Sequence, residues 1–534
     1  MAPRPTPFSR RRPTVLALVV AWTLVLAACT GDDSPNDAAP DPAPTESTVD
    51  SSPTDAAGAL PPLSRLQIAR NGGRPAIVDE QGREVLLRGA NLNSLGDYYQ
   101  AYPAFAPTRP PTDEDWDQMA AHGFSVVRLV VSWSALEPER GQIDLAYVQR
   151  IQQAVAAAAE RRIYTVIDMH QDAWGKFIAS PPGVVCPPDT EPAIGWDGAP
   201  LWATLTDGAD TCRPIGNREG SPAVQAAFNS FYDNRDGIRD AFVATWGVLA
   251  QAFADEPAVA GYDLFNEPNL IGDAPTSERR YTELMAATVA EVREAELAAG
   301  GFPHVIFLEP VVLFPLPGTM PTDGFTFDDQ IAFAPHNYAE VIGPQLLTVE
   351  QTFDVSADAA GQRGWPLWIG EHGVYATDEA TLDVLDRFAR AQDEHLAGGA
   401  QWQWRQWCGD PHSIGVPGRI PTERQVQLND VDCPADVDAG PNTELLSVAG
   451  RAYPRAVPGL LTELMSDPDA RTMAVEGRIV DDLAAVGDLV LWIPGSERPD
   501  VSGDGVGEPV IREVPGGWYA TMAVDDTPYR VEVA

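Results

Sequence analysis

The sequence predicts a (β/α)8 barrel followed by a small C-terminal β-sandwich. Eight short apolar runs alternate with segments of helical periodicity, which is the pattern of a parallel sheet whose strands are joined by helices. Eight strands close such a barrel, which takes about 250 residues or more. Further on, short strands broken by Gly, Pro and Asp indicate a sandwich instead. We therefore expect a barrel over residues 63–456 and a sandwich over 457–534.

Residues 1–29 have the pattern of a bacterial export signal. A basic segment that ends at Arg12 precedes an apolar run over 15–28, which is too short for a good membrane span. The run stops at Leu26-Ala-Ala-Cys29, which resembles a lipobox and predicts cleavage before Cys29 and lipid attachment to its thiol. An ordinary signal peptide that contains Cys29 by chance is the alternative. We expect a monomer at the cell surface or outside the cell, in contact with the membrane only through this lipid.

Residues 30–62 are rich in Asp, Pro, Ser, Thr and Ala and contain no basic side chain. Such a segment cannot bury enough apolar surface to fold, so we predict a disordered tether. The whole chain is acidic, with a formal net charge of -41, and Lys176 is its one lysine. This charge repels polyphosphate and argues against a nucleic-acid partner. A neutral or zwitterionic substrate suits it better.

The barrel elements follow one another from residue 84 onward. Their strands are short and apolar, and the helices between them are built from good helix formers. The predicted strands are Glu84–Asn91, Ser125–Ser132, Ile163–His170, Val259–Asn266, His304–Glu309, Ile331–His336, Leu367–Glu371 and Ala400–Trp404. The predicted helices are Asp115–His122, Leu145–Arg161, Gly237–Ala254, Ser277–Ala299 and Glu379–Leu396. The predicted sandwich strands are Thr472–Ile479, Leu489–Ile493, Pro509–Glu513, Gly517–Val524 and Pro528–Val533.

A long loop follows the third strand, from Gln171 to Phe228, and its length predicts a functional or separately folded segment. Without Cys29 the chain keeps four cysteines, and an even number in an exported protein predicts two disulfides. Three pairings are open, and proximity favours Cys186 with Cys212 and Cys408 with Cys433. The spacings do not fit zinc, so we expect no metal and no cofactor.

Two glutamates stand at strand ends: Glu267 in Gly261-Tyr-Asp-Leu-Phe-Asn-Glu-Pro268, and Glu371 in Pro366-Leu-Trp-Ile-Gly-Glu-His-Gly373. The carboxyl ends of barrel strands carry the chemistry of this fold. A single glutamate there is more often a salt-bridged rim residue, but a pair meets the requirement of retaining glycoside hydrolysis for an acid/base and a nucleophile. We predict carboxyl carbons about 5–5.5 Å apart. Glu309, in Phe-Leu-Glu-Pro, competes for a role, and we expect it to support the pair.

The chain resembles the cellulase-like glycoside hydrolase family five over about residues 63–456. The matching residues lie on different strands and in order: Arg128, His170, Asn266, Glu267, His336, Tyr338, Glu371, and Trp402 or Trp404. The resemblance implies that Glu267 is the acid/base, with a raised pKa, and Glu371 the nucleophile. It implies further that Asn266 binds the sugar 2-hydroxyl.

The resemblance also implies roles for the remaining residues. Arg128 would keep Glu371 ionised, and Tyr338 would donate a hydrogen bond to it. His170 and His336 would line the sugar site. An indole would stack on the sugar ring, and the family's spacing favours Trp402, although strand alternation puts Trp404 on the same face.

Within this family the chain is most similar to endoglycoceramidases, which cut between an oligosaccharide and ceramide. Asp168-Met-His-Gln-Asp172 and the added sandwich carry this resemblance, which implies that Asp172 contacts the first sugar. Those enzymes also have a sugar-binding lysine after the first strand, whereas Leu92-Asn-Ser-Leu-Gly-Asp97 has none. We therefore consider Lys176 as a replacement, with a solvated loop lysine as the alternative.

Three functions follow from these observations. The first is a glycolipid hydrolase whose aromatic loop, with Trp174, Phe177, Trp196 and Trp202, receives the lipid. The second is a hydrolase of a β-glucan, a β-mannan or a small β-glucoside, including a steryl glucoside. The third is a surface lipoprotein that binds carbohydrate without catalysis. The complete catalytic set argues against the third, because a binding protein needs no proton donor.

Overall fold

The computed structural model describes residues 62–71, 73–342, 346–414, 421–479, 487–525 and 527–534. The predicted signal peptide, Cys29 and the tether up to residue 61 lie outside these residues. Within them, we find no helix with both the length and the apolar character needed to cross a membrane.

The central element is a closed barrel of eight parallel strands, as predicted. The strands pair in the order β6-β5-β4-β3-β2-β1-β8-β7, and single bridges between Phe333 and Leu367 and between His336 and Glu371 close the ring. The strands are β1 (Arg88–Leu92), β2 (Val126–Ser132), β3 (Tyr164–His170), β4 (Val259–Asp263), β5 (Val305–Leu308), β6 (Ile331–Phe333), β7 (Trp368–His372) and β8 (Gly398–Gln401).

The strand sequences explain the barrel. Every residue of β2 and β3 is buried, because helices cover the outside while side chains fill the inside. Val126, Val166 and Phe307 belong to the interior cluster, and Val127 and Ile167 to the cluster beneath the helices. This near-continuous burial is why the strands appear in the sequence as unbroken apolar runs.

The outer helices confirm all five predicted segments to within a few residues. Polar side chains cap their first turns: Thr112 and Thr348 each close a capping box. Three of these helices were not predicted: Pro222–Tyr232, which begins inside the long loop, Thr443–Ala449, and Val349–Arg363, whose small and acidic residues weaken the helical pattern. The main helices are Asp113–Ala121, Leu145–Glu160, Pro222–Tyr232, Ile238–Ala252, Ala274–Ala299, Val349–Arg363, Glu379–Glu394 and Thr443–Ala449.

Two antiparallel sheets form the predicted sandwich, and their buried side chains share one core. The larger sheet also takes three strands from before the barrel, which the sequence reading did not foresee. Its strands, in spatial order, are Gln67–Asn71, Arg74–Val78, Arg83–Val85, Tyr453–Pro458, Leu489–Pro494, Gly517–Met522 and Val510–Val514. The smaller sheet contains Leu460–Asp467, Thr472–Arg478, Tyr529–Val533 and Val501–Asp504.

Candidate active site

The two glutamates lie together at the carboxyl end of the barrel. Glu371 lies within β7, and Glu267 stands in the loop that follows β4. The His336 imidazole joins them: its Nδ1 lies 3.0 Å from Glu267 Oε1 and 3.5 Å from Glu371 Oε2. Two carboxylates from separate strands thus approach one nitrogen atom.

Glu371 is held by two donors. Arg128 Nη1 donates to its Oε1 at 2.7 Å, and the Tyr338 hydroxyl donates to its Oε2 at 2.8 Å. Burial raises the pKa of Tyr338 well above its ordinary value, so this hydroxyl keeps its proton. A buried carboxylate between a guanidinium and a phenol is fixed in orientation.

Glu267 is fixed through its backbone. Its φ of 39° lies in the left-handed region, which costs a non-glycine residue about 1–3 kcal/mol. Its N–H donates to Glu309 Oε1 at 2.9 Å, and its carbonyl accepts from Gln171 Nε2 at 2.9 Å. These bonds hold the strained conformation. Glu309 therefore supports Glu267 from below.

The electrostatic surroundings of Glu267 differ from the expected raised pKa. Burial raises the pKa of Glu267, but the hydrogen bond and charge of His336 and the charge of Arg218 outweigh it and lower the pKa to about 2. The expectation is wrong for the free protein because it did not include Arg218, whose Nη2 lies 3.1 Å from Glu267 Oε2.

Arg128 is the centre of the network beneath the site. Its side chain is fully buried, and its fork of N–H groups reaches several acceptors at once. Besides Glu371, these acceptors are Asp263 Oδ2 at 3.0 Å, Asn91 Oδ1 at 3.0 Å and Asn266 Oδ1 at 2.9 Å, and Asp168 Oδ1 forms an ion pair with Nη2 at 3.0 Å. Arg128 therefore links the glutamate of β7 to the polar ends of β1, β3 and β4.

The predicted sugar-site residues line one wall of the site. His170 bonds Asp168 Oδ2 through Nδ1 at 2.7 Å; burial lowers the pKa of His170, but Asp168 and Asp197 raise it to about 9. The Trp402 ring stacks on this imidazole with centroids 5.2 Å apart. Asn266 donates to the Gln171 carbonyl at 3.0 Å and thereby faces the same space.

Only one of the two candidate tryptophans lines the cavity that contains both glutamates. Trp402 lines it, whereas Trp404 donates from Nε1 to Asp115 Oδ1 at 2.9 Å and packs beneath the first helix. The predicted common face is wrong because β8 ends at Gln401, before either indole, and strand alternation no longer applies there.

Lys176 does not support the contact that we considered for it. Its Nζ lies 2.7 Å and 2.6 Å from the two carboxylate oxygens of Asp97, and Lys176 is not among the described residues lining the cavity. The cation beside Asp172 is instead Arg218, whose Nη2 pairs with Asp172 Oδ1. Lys176 is therefore not the replacement for the sugar-binding lysine, because Asp97, in the loop after β1, binds its ammonium.

Three residues of the site were missed from the sequence: Arg218, His412 and Tyr375. His412 Nε2 lies 3.1 Å from Asp172 Oδ2, and its Nδ1 lies 2.8 Å from Asp410 Oδ1. Burial lowers the pKa of His412, but Asp410 and Asp172 raise it to about 10, so it is a second cation at Asp172. A sequence signal existed, since Arg218 and His412 follow predicted disulfide cysteines within a few residues.

Both predicted disulfides are confirmed. Cys186 joins Cys212 with Cα atoms 5.7 Å apart, and Cys408 joins Cys433 at 5.8 Å. The second closes a loop that contains His412, and Arg218 lies a few residues beyond the end of the first. The crosslinks thereby restrict the walls of the cavity.

The two carboxylates open into two adjoining cavities, of about 530 Å³ and about 660 Å³. The first, the sugar-side cavity, is polar and aromatic, and it contains His170, Asp172, Arg218, Glu371, Trp402 and His412. The second is called the apolar cavity for the wall formed by Leu270, Val311, Val312, Leu313 and Phe314, and polar residues such as Asn269, Glu309 and His336 line the rest of it. Glu267, Arg218 and Tyr338 line both. The acid/base candidate therefore stands where the two cavities meet.

Two groups of described residues each bring three possible cation ligands within 4.8 Å of one another: His170, Asp172 and Asp197, and Glu267, Glu309 and His336. Their atoms bond to each other or to neighbouring bases, as His336 does to Glu267. We interpret both groups as hydrogen-bonding clusters of the site and assign no metal to them.

The cellulase family, glycosyl hydrolase family 5, matches residues 78–407 of this chain. A crystal structure of an endogalactoceramidase is similar with a TM-score of 0.80 and 40% identity, and the similarity covers 88% of this chain and 100% of that one.

Two curated relatives match more limited regions. Endoglycoceramidase I of Rhodococcus hoagii is 30% identical over 286 residues, which are 49% of this chain and 51% of the relative. A glucosylceramidase of Cryptococcus neoformans is 28% identical over 255 residues, which are 38% of this chain and 34% of that protein. The alignments thus span about half or less of the curated relatives' length. Together with the barrel and its paired glutamates, the family match shows that this chain is an endoglycoceramidase-like member of glycosyl hydrolase family 5.

Proposed function

We propose that this protein is a retaining β-glycoside hydrolase that cleaves glycolipids between the sugar and the ceramide. Glu267 acts as acid/base and Glu371 as nucleophile. The similar endogalactoceramidase structure favours a β-galactosyl lipid as the first substrate class to examine.

The apolar cavity beside Glu267 is the observation that carries the glycolipid proposal. A glycosyl lipid has a polar sugar and an apolar chain on either side of its scissile bond, and the second cavity offers an apolar wall beside Glu267, next to the cavity that holds the sugar-binding residues. Leu313 and Ile342 are 55% and 52% exposed, so apolar surface is available to a lipid. A polysaccharide would call for aromatic platforms, whereas these residues are mostly aliphatic.

The aromatic loop is a weaker candidate for the lipid than we expected. Trp174 and Trp196 are 1% and 6% exposed, so they are largely occupied by the packing of the loop itself. The lipid contact therefore belongs to the segment after β5, which contains Val311 and Leu313.

The mechanism assigns each step to a residue of the site. Glu371 attacks the anomeric carbon, while Glu267 gives its proton to the departing ceramide oxygen. A water molecule then attacks the glycosyl-enzyme, and Glu267 takes the proton of that water. Arg128 and Tyr338 orient Glu371 throughout, and Asn266 binds the sugar 2-hydroxyl, a contact that strengthens in the transition state.

A substrate panel tests the proposal. The secreted form, without its lipid, is incubated with galactosylceramide, glucosylceramide, lactosylceramide, a steryl glucoside and a soluble β-glucan, and released sugar and ceramide are quantified. We expect release from the glycosylceramides and little from the glucan. Preferred cleavage of the glucan would contradict the glycolipid proposal and leave the glycosidase proposal standing.

The stereochemistry of the product tests the double displacement. We expect the β-anomer to be released first, because two successive inversions retain configuration. Proton NMR of the first turnovers of a reactive β-glycoside separates the two anomers before mutarotation. Initial release of the α-anomer would make the enzyme inverting and exclude Glu371 as the nucleophile.

Substitution in the apolar cavity tests the lipid contact. Leu313→Asn places a residue that tolerates positive φ where Leu313 has a φ of 76°. Losing apolar contact worth about 1 kcal/mol should raise KM for a long-chain glycosylceramide by roughly fivefold. Kinetics on an aryl β-glycoside should stay unchanged, and Val437→Asn, at a residue that is also 55% exposed, is the control. Equal loss on both substrates would contradict a lipid contact at Leu313.

We also propose export and lipid attachment at Cys29, on the sequence pattern alone. Cells fed radiolabelled palmitate should label the wild-type protein and not Cys29→Ala. Labelling of both forms, or of neither, would refute the assignment.

A further inference from the structure

Arg218 contacts both the sugar-binding carboxylate Asp172 and the acid/base Glu267. It begins the short helical turn Arg218–Gly220 in the loop after β3. Its Nη2 pairs with Asp172 Oδ1 and lies 3.1 Å from Glu267 Oε2, while its Nε lies 3.2 Å from Glu219 Oε1. Its guanidinium also covers the Trp196 ring at 4.6 Å from the centroid. One side chain therefore joins the sugar-binding carboxylate to the acid/base.

The position of Arg218 between the cavities is as informative as its contacts. It lines both the sugar-side and the apolar cavity, as Glu267 does. The scissile bond of a bound glycolipid must cross this boundary, so the guanidinium lies beside the oxygen that receives the proton. Its side chain is 24% exposed, which leaves it accessible to a substrate.

We propose that Arg218 is a positioning residue that sets the proton affinity of Glu267 and links it to sugar binding at Asp172. This inference rests on the proposed function. It assigns to a loop arginine a control over the acid/base that no barrel strand supplies.

The chemical steps show where this control acts. In the first step the bond from the anomeric carbon to the ceramide oxygen breaks, a bond to Glu371 forms, and the proton of Glu267 moves to the ceramide oxygen. Glu267 is then an anion, and Arg218 stabilises it. In the second step water bonds to the anomeric carbon, the ester to Glu371 breaks, and Glu267 takes the proton from water. Arg218 thus favours proton release and opposes proton uptake.

Other charged groups face Glu267 as well, and they act in both directions. His336 from the loop after β6 lies 3.0 Å away and favours the anion, as Arg218 does. The neighbouring carboxylates Asp172, Glu219, Glu309 and Glu371 oppose the anion. Of these two groups, only Arg218 comes from a loop outside the barrel core. It is therefore the one whose removal leaves the support of Glu371 intact.

The sign of the effect follows from the charges. The acid step needs Glu267 protonated, so kcat falls as pH rises through the pKa that Glu267 has in the enzyme–substrate complex. Removing the Arg218 cation raises that pKa and moves the alkaline limb to higher pH. Removing the Asp172 carboxylate frees the guanidinium for Glu267, lowers the pKa and moves the limb to lower pH.

The test is the pH profile of kcat on a glycosylceramide for the wild type, Arg218→Gln, Arg218→Lys and Asp172→Asn. We expect the alkaline limb to move up by about one pH unit in Arg218→Gln, to stay near the wild type in Arg218→Lys, and to move down in Asp172→Asn. Arg235→Gln is the control, because this exposed arginine pairs with Asp207 outside both cavities. Thermal unfolding of each variant identifies any that fails to fold, and Asp172→Asn, with its opposite sign, then carries the test.

The outcomes separate the inference from the proposed function. A wild type that cleaves neither glycosylceramides nor an aryl β-glycoside would overturn the proposed function. An active wild type whose alkaline limb is the same in Arg218→Gln and Asp172→Asn would overturn only the role of Arg218. An equal shift in Arg235→Gln would also overturn it, since a general change of charge would then suffice.

Discussion

Glu267→Gln should lower kcat on a glycosylceramide by about 10²–10⁴-fold, which is the usual contribution of a general acid. The loss should be much smaller for the first step on a dinitrophenyl β-glycoside, because that leaving group needs little protonation. The second step still needs the base, so the glycosyl-enzyme should accumulate and give a burst of the phenol. Adding azide should restore turnover and yield a β-glycosyl azide, since azide needs no deprotonation.

Glu371→Gln should abolish turnover on both substrates, because no covalent intermediate can form without the carboxylate. The amide oxygen can keep the bond from Arg128, and the Tyr338 hydroxyl can turn to accept from the amide nitrogen, so the fold should persist. Stopped-flow release of the phenol and mass spectrometry of the quenched enzyme distinguish the two variants. Trapped glycosyl-enzyme is expected for Glu267→Gln alone.

Glu278→Gln is a suitable control, since this glutamate bonds Thr322 away from both cavities. Glu309→Gln distinguishes a residue that holds the Glu267 backbone from one that takes part in the reaction. It should lower turnover by weakening the bond to the Glu267 N–H, without a burst or azide rescue. If Glu309→Gln gave the burst and Glu267→Gln behaved as the wild type, the two roles would be exchanged.

The sequence was most informative where a strand ends in a polar residue. The apolar runs before Glu267, His170 and Glu371 predicted buried parallel strands. In a closed barrel the carboxyl ends of these strands lie around one opening. This is why residues separated by long stretches of chain could be placed in one site. The resemblance then narrowed the chemistry that such a cluster performs.

The unpredicted part of the site comes from loops. Arg218 and His412 lie in segments without periodicity, whose paths are set by disulfides and by packing on Trp196. Local sequence cannot tell which loop base reaches Asp172. Lys176 was the base considered from the sequence, but its ammonium pairs with Asp97. The low pKa of Glu267 could not be predicted either, since it depends in part on the guanidinium of Arg218 from such a loop.

The sandwich shows a similar limit at the level of the fold. Its C-terminal strands were found from their turns, but the hairpin Gln67–Val78 joins the same sheet through Arg83–Val85 and Tyr453–Pro458. A pairing between segments separated by the entire barrel leaves no local mark. Strand propensity can predict that a strand exists, whereas its pairing with a strand so far away in the sequence depends on tertiary packing.

Arg128→Met should be the most destabilising single change in the barrel, by about 3–5 kcal/mol, because it leaves buried carboxylates without their cation. Asp168, Asp263 and Glu371 all lie within 3.0 Å of the guanidinium, and the Arg128 side chain has no exposed surface. Burial raises the pKa of Asp263 and the charge of Arg128 lowers it. The pKa is still raised to about 6 with the guanidinium present. Removing Arg128 should raise it further.

The destabilisation should therefore depend on pH. A carboxyl whose pKa is higher in the folded than in the unfolded state adds stability at low pH and loses it as pH rises through the folded value. Urea unfolding at pH 5 and pH 8 should show a smaller deficit for Arg128→Met at pH 5, where protonation relieves the unpaired charges. Arg279→Gln, which removes an exposed pair with Glu283, should match the wild type at both values. A deficit in Arg128→Met that is equal at the two pH values would mean that lost packing, rather than unpaired charge, is the cause.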